Sequence, residues 1–291
     1  MSPPALPPFA REAVIGAGTM GHGIAQVSAA AGASVRLYDV DASAAERGLG
    51  RIRQNLDKGV SLGKVTAEAR GGTLARLEAA GDLAGAVADA DLVVEAAPES
   101  IRIKSALLAD VEAVAREDAV LATNTSSLSI AELASGLRAP GRFLGLHFFN
   151  PVHVMALVEV VWGPETDQAV LGRSVEFVRA IGKEPVVVRD SPGFASSRLG
   201  VILGLEAMRM VEEGVAEPEG IDKAMELGYR HPMGPLRLTD LVGLDVRLGI
   251  AEYLHEKLGS EAFRPPEILR RMVAEGKLGK KSGEGFYRWE E

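Results

Sequence analysis

Short apolar runs alternate with helical patterns along the chain as far as about residue 190. Residues 12–16 (EAVIG) predict a buried strand, residues 20–31 predict a helix of small side chains that ends at Gly32, and residues 34–39 (SVRLYD) predict a second strand. A strand, a helix and a strand in this order form a unit whose two strands lie parallel. The pattern therefore predicts the beginning of a doubly wound α/β sheet.

Further apolar runs rich in Val, Leu and Phe predict that this sheet continues. They lie at residues 91–96, 119–123, 143–148, 157–161 and 185–188. Helical patterns separate most of these runs, as expected for a sheet of parallel strands. Residues 42–77 carry Arg, Lys and Gln at helical spacing and predict helices outside the sheet, whose cations either face solvent or meet an anionic ligand.

The pattern changes after Asp190, where the strand-like runs stop. Gly and Pro separate four helical segments, at residues 194–213, 217–227, 236–257 and 266–275. A chain of 291 residues also exceeds the usual size of one hydrophobic core. We therefore expect an α/β domain over residues 1–190 and a smaller all-helical C-terminal domain over residues 191–291.

Composition and charge exclude several classes of function. The chain has no cysteine, which excludes disulfides, thiolate metal sites and a cysteine nucleophile. Its net charge of −8, from 32 basic and 40 acidic residues, argues against nucleic-acid binding, which needs a basic surface. No apolar run reaches ~18 residues and prolines interrupt the start of the chain, so we expect no membrane segment, no signal peptide and a cytoplasmic protein.

A glycine pattern lies between the first predicted strand and the first predicted helix. Gly16, Gly18 and Gly21 have the spacing G-x-G-x-x-G, with Thr19 and Met20 between the last two. The first glycine of such a pattern permits a tight turn, the second lets backbone N–H groups approach a pyrophosphate, and the third allows close helix packing. We therefore interpret residues 1–190 as a Rossmann-type doubly wound domain that binds a dinucleotide at these five residues.

Asp39, at the end of the second strand, indicates which dinucleotide is bound. It follows Gly21 by 39 − 21 = 18 residues, close to the ~20 expected for the acid that binds a ribose 2′-hydroxyl. A carboxylate there repels a 2′-phosphate, so we expect NAD as the cofactor, although Arg36 on the same strand keeps NADP open. The structural alternative is a glycine turn followed by an aspartate that caps a helix.

Polar residues that suit alcohol oxidation follow later strands of the predicted sheet, where ligands of open α/β sheets bind. They are NTSSL at residues 124–128, HFFNP at residues 147–151, and Glu159 within LVEVV. An imidazole can accept a hydroxyl proton near neutral pH, and a carboxylate partner fixes its tautomer. His147 and Glu159 can meet on adjacent strands, and the Ser126 hydroxyl can bond the reacting oxygen or the cofactor. A purely structural role for His147 stays open at this point.

These motifs, taken with others, resemble the 3-hydroxyacyl-CoA dehydrogenase family, including 3-hydroxybutyryl-CoA dehydrogenases, over nearly the whole chain. The stretches are VIGAGTMGHGIAQ, ADLVVEAAPE, TNTSSLSI, RFLGLHFFNPV, LVEVV, DSPGF, HPMGPLRLTDLVGLD and GKKSGEGFY. The resemblance implies an enzyme that reversibly oxidises an (S)-3-hydroxyacyl-CoA thioester, of short chain such as 3-hydroxybutyryl-CoA, by hydride transfer to NAD. It also implies a homodimer formed through the helical domain.

The resemblance implies a role for several residues. His147 is the implied catalytic base, Glu159 its partner, and Ser126 a contact of both substrate and nicotinamide. The other implied cofactor contacts are Glu99, Lys104, Asn150 and Lys281, and Lys64 is an implied contact of coenzyme A.

One position departs from the family pattern. After DSPGF the family usually has Asn-Arg, whereas this chain has Ser197 before Arg198. The serine side chain is shorter and offers one hydroxyl in place of an amide, so water fills the role of the asparagine or the substrate preference differs. We keep Ser197 as a candidate catalytic residue.

Two other functions remain open from the sequence. A dehydrogenase of free hydroxy acids would usually rely on a lysine base, and a catalytically silent, crystallin-like protein would bind NAD without performing the reaction. We give no catalytic role to the other histidines. No group of His and carboxylate residues has the spacing of a zinc site, so we expect no metal.

Overall fold

A computed structural model describes residues 8–290. The chain forms two compact units, and the boundary between them along the chain lies between Ser191 and Pro192. The first unit contains one eight-stranded sheet. Its strands are β1 (Arg11–Ile15), β2 (Ser34–Tyr38), β3 (Leu77–Ala79), β4 (Leu92–Glu95), β5 (Val120–Thr123), β6 (Phe143–Phe148), β7 (Leu157–Trp162) and β8 (Glu184–Arg189). The predicted Rossmann-type fold class is confirmed.

The strand order places the ends of several strands at one crevice. The order is β3-β2-β1-β4-β5-β6-β7-β8, and every neighbouring pair is parallel except β6 and β7. The chain runs outward from β1 to β3 and then crosses back to β4 on the other side of β1. Ligands of open α/β sheets bind at such a reversal, beyond the carboxyl ends of the strands, which here are the ends of β1 and β4.

The helices of the first unit connect these strands. They are α1 (Gly21–Ala30), α2 (Ala42–Ser61), α3 (Ala67–Leu74), α4 (Leu83–Val87), α5 (Ile101–Val114), α6 (Ile130–Ala134) and α7 (Gln168–Ala180). The helices predicted over residues 42–77 are α2 and α3. Each begins at a residue whose side chain accepts a hydrogen bond from the first turn, Asp41 for α2 and Thr66 for α3.

Strand β3 was not predicted from the sequence. It has three residues (Leu77–Ala79), lies at the edge of the sheet and pairs only with β2. Its side chains are half-buried or exposed, so the sequence contains no apolar run at this position. The strand is formed by backbone pairing with β2, which an apolar pattern cannot indicate.

The central strands are buried along their whole length. All residues of β4, β5 and β6 are buried, and a strand covered on both faces is expected to be a continuous apolar run. Glu95 in β4, Thr123 in β5 and His147 in β6 depart from that expectation, because each is polar and buried. Buried polar side chains need partners, and the partners of these three define the site described below.

The second unit consists of helices, as predicted. They are α8 (Ser196–Glu212), α9 (Pro218–Tyr229), α10 (Pro235–Val242), α11 (Leu244–Leu258) and α12 (Glu267–Ala274). The single helix predicted over residues 236–257 is wrong, because the chain turns at Gly243 and forms α10 and α11. Gly243 has φ +104°, a conformation that a glycine adopts without strain and that interrupts the helix.

No helix within residues 8–290 is long and apolar enough to cross a membrane. The same part of the chain contains no group of three or more His, Asp or Glu side chains arranged to hold a metal ion. The cytoplasmic location stays a prediction.

Glu12 of β1 is a carboxyl group inside the core of the first unit. Glu12 is 2% exposed, and neither of its carboxyl oxygens has a hydrogen bond of normal geometry to a described residue. Burial raises the pKa of Glu12 to about 8; the nearby Ser28 hydroxyl opposes this rise and the charge of Asp91 adds to it. Glu12 is therefore mostly protonated at neutral pH.

We expect Glu12→Gln to change how stability depends on pH. Because the pKa of Glu12 is higher in the folded protein than in the unfolded chain, its favourable contribution is complete below about pH 4.5 and is lost as the pH rises towards 8. Between pH 5 and pH 8 the parent should lose on the order of 4 kcal/mol of unfolding free energy that the variant retains. Urea unfolding at both pH values tests this expectation, and equal losses in parent and variant would contradict it.

Candidate active site

The glycine turn after β1 is shaped for close approach. Gly16 has φ +101°, and a methyl group added to it would lie 2.6 Å from the carbonyl oxygen of Ala96. A methyl group on Gly21 would collide with the carbonyl of Gly16, whereas one on Gly18 would have no atom within 4 Å. A side chain at Gly16 or Gly21 would thus collide with neighbouring backbone, so these two glycines are needed for the fold itself. Gly18 is exposed and leaves open space over the backbone, which fits the pyrophosphate of a dinucleotide.

The start of α1 completes this turn. Thr19 is exposed and Met20, the residue before the helix, is half-buried. The first N–H groups of a helix have no partner within the helix and carry partial positive charge. The turn therefore offers positive potential at the point where phosphates would lie.

Asp39 lies directly against the glycine turn. Its carboxylate accepts hydrogen bonds from the backbone N–H groups of Ala17, at 2.8 Å, and Asp41, at 3.1 Å. Arg36 is engaged elsewhere, because its guanidinium donates to the carbonyl of Gly85 and to Asp89. A carboxylate without an adjacent unpaired arginine suits a ribose 2′-hydroxyl and repels a 2′-phosphate, which favours NAD over NADP.

Two alanine substitutions should separate folding from cofactor binding. Gly21→Ala is expected to lower the unfolding free energy by about 3 kcal/mol or more, because the methyl group overlaps the Gly16 backbone. Gly18→Ala should leave stability within about 1 kcal/mol of the parent but weaken NADH binding at least about tenfold, because it blocks the approach to the backbone. Urea unfolding and NADH fluorescence titration measure the two effects. Parent-like NADH affinity in Gly18→Ala would contradict this function for the turn.

His147 and Glu159 form a buried pair across two antiparallel strands. They are directly opposite each other in the β6/β7 register, and the distance from His147 Nδ1 to Glu159 Oε2 is 2.7 Å. Their side chains are 6% and 1% exposed. The ring of Phe149 lies 4.4 Å from the imidazole, centroid to centroid. Because directly opposed residues of a sheet point to the same face, the two strands fix both members of the pair.

The hydrogen bond to Glu159 selects one tautomer of His147. An ionised carboxylate only accepts hydrogen bonds, so the proton of the neutral imidazole lies on Nδ1 and the lone pair on Nε2. Nε2 is then the atom that can accept a proton, and Glu159 stabilises the imidazolium that results. The pair has the chemistry of a general base.

The loop after β5 is held by hydrogen bonds to Glu99, in the segment between β4 and α5, and to β6. Asn124 Oδ1 accepts from the backbone N–H of Phe148 at 3.0 Å, which joins the loop to the strand of His147. Glu99 Oε1 accepts from the Thr125 hydroxyl at 2.6 Å and from the N–H of Ser126 at 3.0 Å. Ser126 is thereby held at the carboxyl edge of the sheet with its side chain half-buried.

Lys104 lies in a buried ion pair. Its side chain is 0% exposed, and its ammonium donates to both carboxylate oxygens of Glu95, at 2.8 and 3.0 Å. Burial raises the pKa of Glu95, and the charge of Lys104 and further hydrogen bonds oppose that rise. Two described carboxylates lie near the ammonium of Lys104. Glu95 is fully buried, whereas Glu99, whose Oε2 lies 3.9 Å from Nζ, has a side chain that is 42% exposed. The ammonium thus lies behind the surface that a ligand would touch.

The other predicted site residues lie at several places. Asn150 is exposed, directly after β6 and before Pro151, and Lys64 is exposed between α2 and α3. Within the second unit, Ser197 lies half-buried in the first turn of α8. Lys281 is in an ion pair with Asp245, at 2.6 Å. The roles predicted for these four residues stay predictions.

The first unit therefore brings its candidate residues to one edge of the sheet. The glycine turn follows β1, Asp39 follows β2, Glu99 follows β4, and Ser126 follows β5. Glu95 and Asn124, which link these segments, were not predicted as site residues from the sequence. The acid that ends the apolar run DLVVE was the available signal for Glu95, because a charged residue in a buried strand needs a partner.

Comparison with known proteins covers both units. The family model described as "3-hydroxyacyl-CoA dehydrogenase, NAD binding domain" matches residues 12–191. The model described as "3-hydroxyacyl-CoA dehydrogenase, C-terminal domain" matches residues 193–289. Together the two models account for nearly the whole chain.

Full-length relatives show the same similarity. A probable 3-hydroxybutyryl-CoA dehydrogenase from Deinococcus radiodurans is 45% identical over 276 residues, which is 95% of this chain and 99% of the relative. A 3-hydroxyadipyl-CoA dehydrogenase from Escherichia coli is 45% identical over 278 residues, 95% of this chain and 58% of the relative. The crystal structure of (S)-3-hydroxybutyryl-CoA dehydrogenase PaaH1 from Ralstonia eutropha matches with a TM-score of 0.94 at 37% identity, covering 97% of this chain and 100% of that structure. The chain belongs to the 3-hydroxyacyl-CoA dehydrogenase family of NAD-dependent oxidoreductases.

Proposed function

We propose that this protein reversibly oxidises the 3-hydroxyl group of a short-chain (S)-3-hydroxyacyl-CoA, such as 3-hydroxybutyryl-CoA, with NAD as the hydride acceptor. The observation that carries the proposal is the 2.7 Å hydrogen bond between His147 and Glu159, in the same unit as the glycine turn. Relatives with similar sequences are named for this reaction. A silent, crystallin-like protein would have no need for a buried acid that fixes the tautomer of a histidine.

The protein residues supply the proton transfer and the orientation of the reacting groups. His147 Nε2 accepts the hydroxyl proton while the carbon–oxygen double bond forms, and Glu159 stabilises the charge on the imidazolium. The Ser126 hydroxyl donates a hydrogen bond to the reacting oxygen. Bound NAD supplies the acceptor for the hydride that leaves the carbon. In the reverse direction the imidazolium returns its proton to the oxygen of the ketone.

The glycine turn and Asp39 hold the dinucleotide in this proposal. The backbone of Gly16 to Gly21 takes the phosphates, and the Asp39 carboxylate takes the ribose hydroxyls. Glu99 and Asn150, which follow β4 and β6, have the exposure needed for further contacts. Lys64, in the exposed turn between α2 and α3, is our candidate for the contact with coenzyme A.

The proposal is tested by NADH oxidation with a panel of 3-ketoacyl-CoA substrates. The panel contains acetoacetyl-CoA, longer 3-ketoacyl-CoA thioesters and 3-ketoadipyl-CoA, since one relative is named for an acid with a second carboxylate. Free acetoacetate is the matched control without the thioester. We expect the highest kcat/KM for acetoacetyl-CoA. Preference for the free acid would support a hydroxy-acid dehydrogenase, and NADH binding without any turnover would support a silent protein.

We also propose that the protein is a homodimer formed through its second unit. Four large apolar side chains of two helices that pack together are at least 40% exposed, namely Leu199 and Leu203 of α8 and Leu238 and Leu241 of α10. Exposed apolar side chains on two neighbouring helices are the kind of surface that a second copy of the chain would cover. Sedimentation analysis should give a dimer that dissociates in the Leu199→Glu, Leu241→Glu double variant but not in the control Leu62→Glu, exposed on the first unit. A parent chain that sediments as a monomer would contradict the proposal.

A further inference from the structure

The ion pair between Glu95 and Lys104 has no evident role in binding a ligand directly. Both side chains are 0% exposed. Removing two charges from water is costly, and replacing a buried ion pair by apolar residues is often neutral or stabilising. The presence of this pair therefore calls for a function other than stability.

The carboxylate of Glu95 is the centre of a dense set of hydrogen bonds. Oε1 accepts from Lys104 at 2.8 Å and from the backbone N–H of Ala97 at 2.5 Å. Oε2 accepts from Lys104 at 3.0 Å and from the Thr123 hydroxyl at 2.5 Å. One carboxylate thus joins the end of β4, the end of β5 and helix α5.

The ammonium of Lys104 extends this set towards the candidate active site. Nζ also donates to the backbone carbonyl of Asn124 at 2.9 Å and lies 3.9 Å from Glu99 Oε2. The side chain of Asn124 accepts from the N–H of Phe148, the residue after His147. Glu99 accepts from the N–H of Ser126. Two short paths therefore run from Glu95 through Lys104, one to the strand of His147 and one to Ser126.

We propose that Glu95 is a positioning residue for the reaction: through Lys104 it fixes the loop of residues 124–128 and the Glu99 carboxylate, and so sets the place of Ser126 and of the nicotinamide end of the cofactor. Misplacement of reacting groups by about 1 Å can cost on the order of a hundredfold in rate. The inference rests on the proposed function for its kinetic consequence, while its effect on the loop is independent of the reaction.

The test compares Glu95→Gln with Glu112→Gln. Glu112 is a matched control, because it is a buried carboxylate on α5, the helix of Lys104, and accepts two backbone N–H groups, from Arg138 and Ala139. Its contacts do not involve the segment 124–128. Five quantities are measured: the urea midpoint, the Kd for NADH, kcat normalised to the amount of folded protein, KM for acetoacetyl-CoA, and amide hydrogen exchange of residues 124–128 without nucleotide.

We expect both substitutions to lower the urea midpoint, because each removes a buried charge that has partners. Glu95→Gln alone should lower kcat by about 10- to 100-fold, raise the Kd for NADH several-fold and speed exchange in residues 124–128. Glu112→Gln should leave these three quantities at parent values. Parent-like exchange, Kd and kcat in folded Glu95→Gln would overturn the proposal.

A second variant covers the case in which Glu95→Gln does not fold. The double variant Glu95→Gln, Lys104→Met removes the uncompensated ammonium and should recover stability while kcat and the Kd for NADH stay impaired. Recovery of all three would show a purely structural pair and would also overturn the proposal. If the parent reduces no 3-ketoacyl-CoA, the proposed function fails, and the hydrogen exchange and the Kd for NADH still decide the role of Glu95.

Discussion

His147→Gln is expected to lower kcat by about 10³-fold, within the range of about 10²–10⁴ that general acid–base catalysis contributes. Glutamine fills a similar space and can hydrogen-bond Glu159, but its amide does not accept a proton near neutral pH. The Kd for NADH should change less than about threefold, because the imidazole is not one of the proposed cofactor contacts. Steady-state NADH oxidation with acetoacetyl-CoA and NADH fluorescence titration measure the two quantities.

The matched control for this experiment is His255→Gln. His255 lies in α11 of the second unit, where its ring bonds the carbonyl of Ser260, and its loss should leave kcat near the parent value. Unchanged turnover in His147→Gln would remove the imidazole from the mechanism. A large loss of NADH affinity would instead indicate that His147 supports the cofactor site.

Glu159→Gln is expected to lower kcat by about 10²–10³-fold, less than the loss of the imidazole itself. The amide is neutral and therefore no longer stabilises an imidazolium. Its NH2 group can also donate to Nδ1, which moves the ring proton to Nε2 and leaves the wrong nitrogen protonated. Folding should be retained, because the substitution keeps the size and the hydrogen-bonding capacity of the side chain.

The double variant His147→Gln, Glu159→Gln gives the sharper test. The effects of residues that act as one unit are strongly non-additive, so kcat of the double variant should lie within about threefold of kcat of His147→Gln. Multiplicative losses would mean that Glu159 contributes to turnover by a route that does not pass through the imidazole. The urea midpoints of the three variants show whether any loss reflects unfolding.

The parts of the fold that rest on periodicity were predictable from the sequence. The runs that became β1, β2 and β4 to β8 were recognised as short apolar runs. Burial on both faces explains the continuous runs of β4, β5 and β6, whereas β8 is apolar although most of its residues are exposed. Strand β3 depends on pairing with a neighbour, and the break at Gly243 depends on a single backbone angle. Neither leaves a signal in the spacing of apolar residues.

The candidate site was predictable where one local motif carries the chemistry. The glycine turn and the 12-residue separation of His147 and Glu159 point directly to geometry, and the structure has both. Lys104 shows the limit of this reasoning, because the exposure of a lysine depends on whether a distant residue supplies a counter-charge. Only the ion pair between Lys104 of α5 and Glu95 of β4 reveals that Glu95 is that partner.

The antiparallel pairing of β6 and β7 makes the base and its acid depend on the alignment of two strands rather than on any loop. A single inserted residue within either strand would turn one side chain of the pair to the opposite face of the sheet. The connection between the strands, residues 149–156, sets no such constraint and can change in length while the ladder is kept. Length changes between Pro151 and Ala156 should therefore leave His147 and Glu159 aligned, whereas a length change within either strand should separate them.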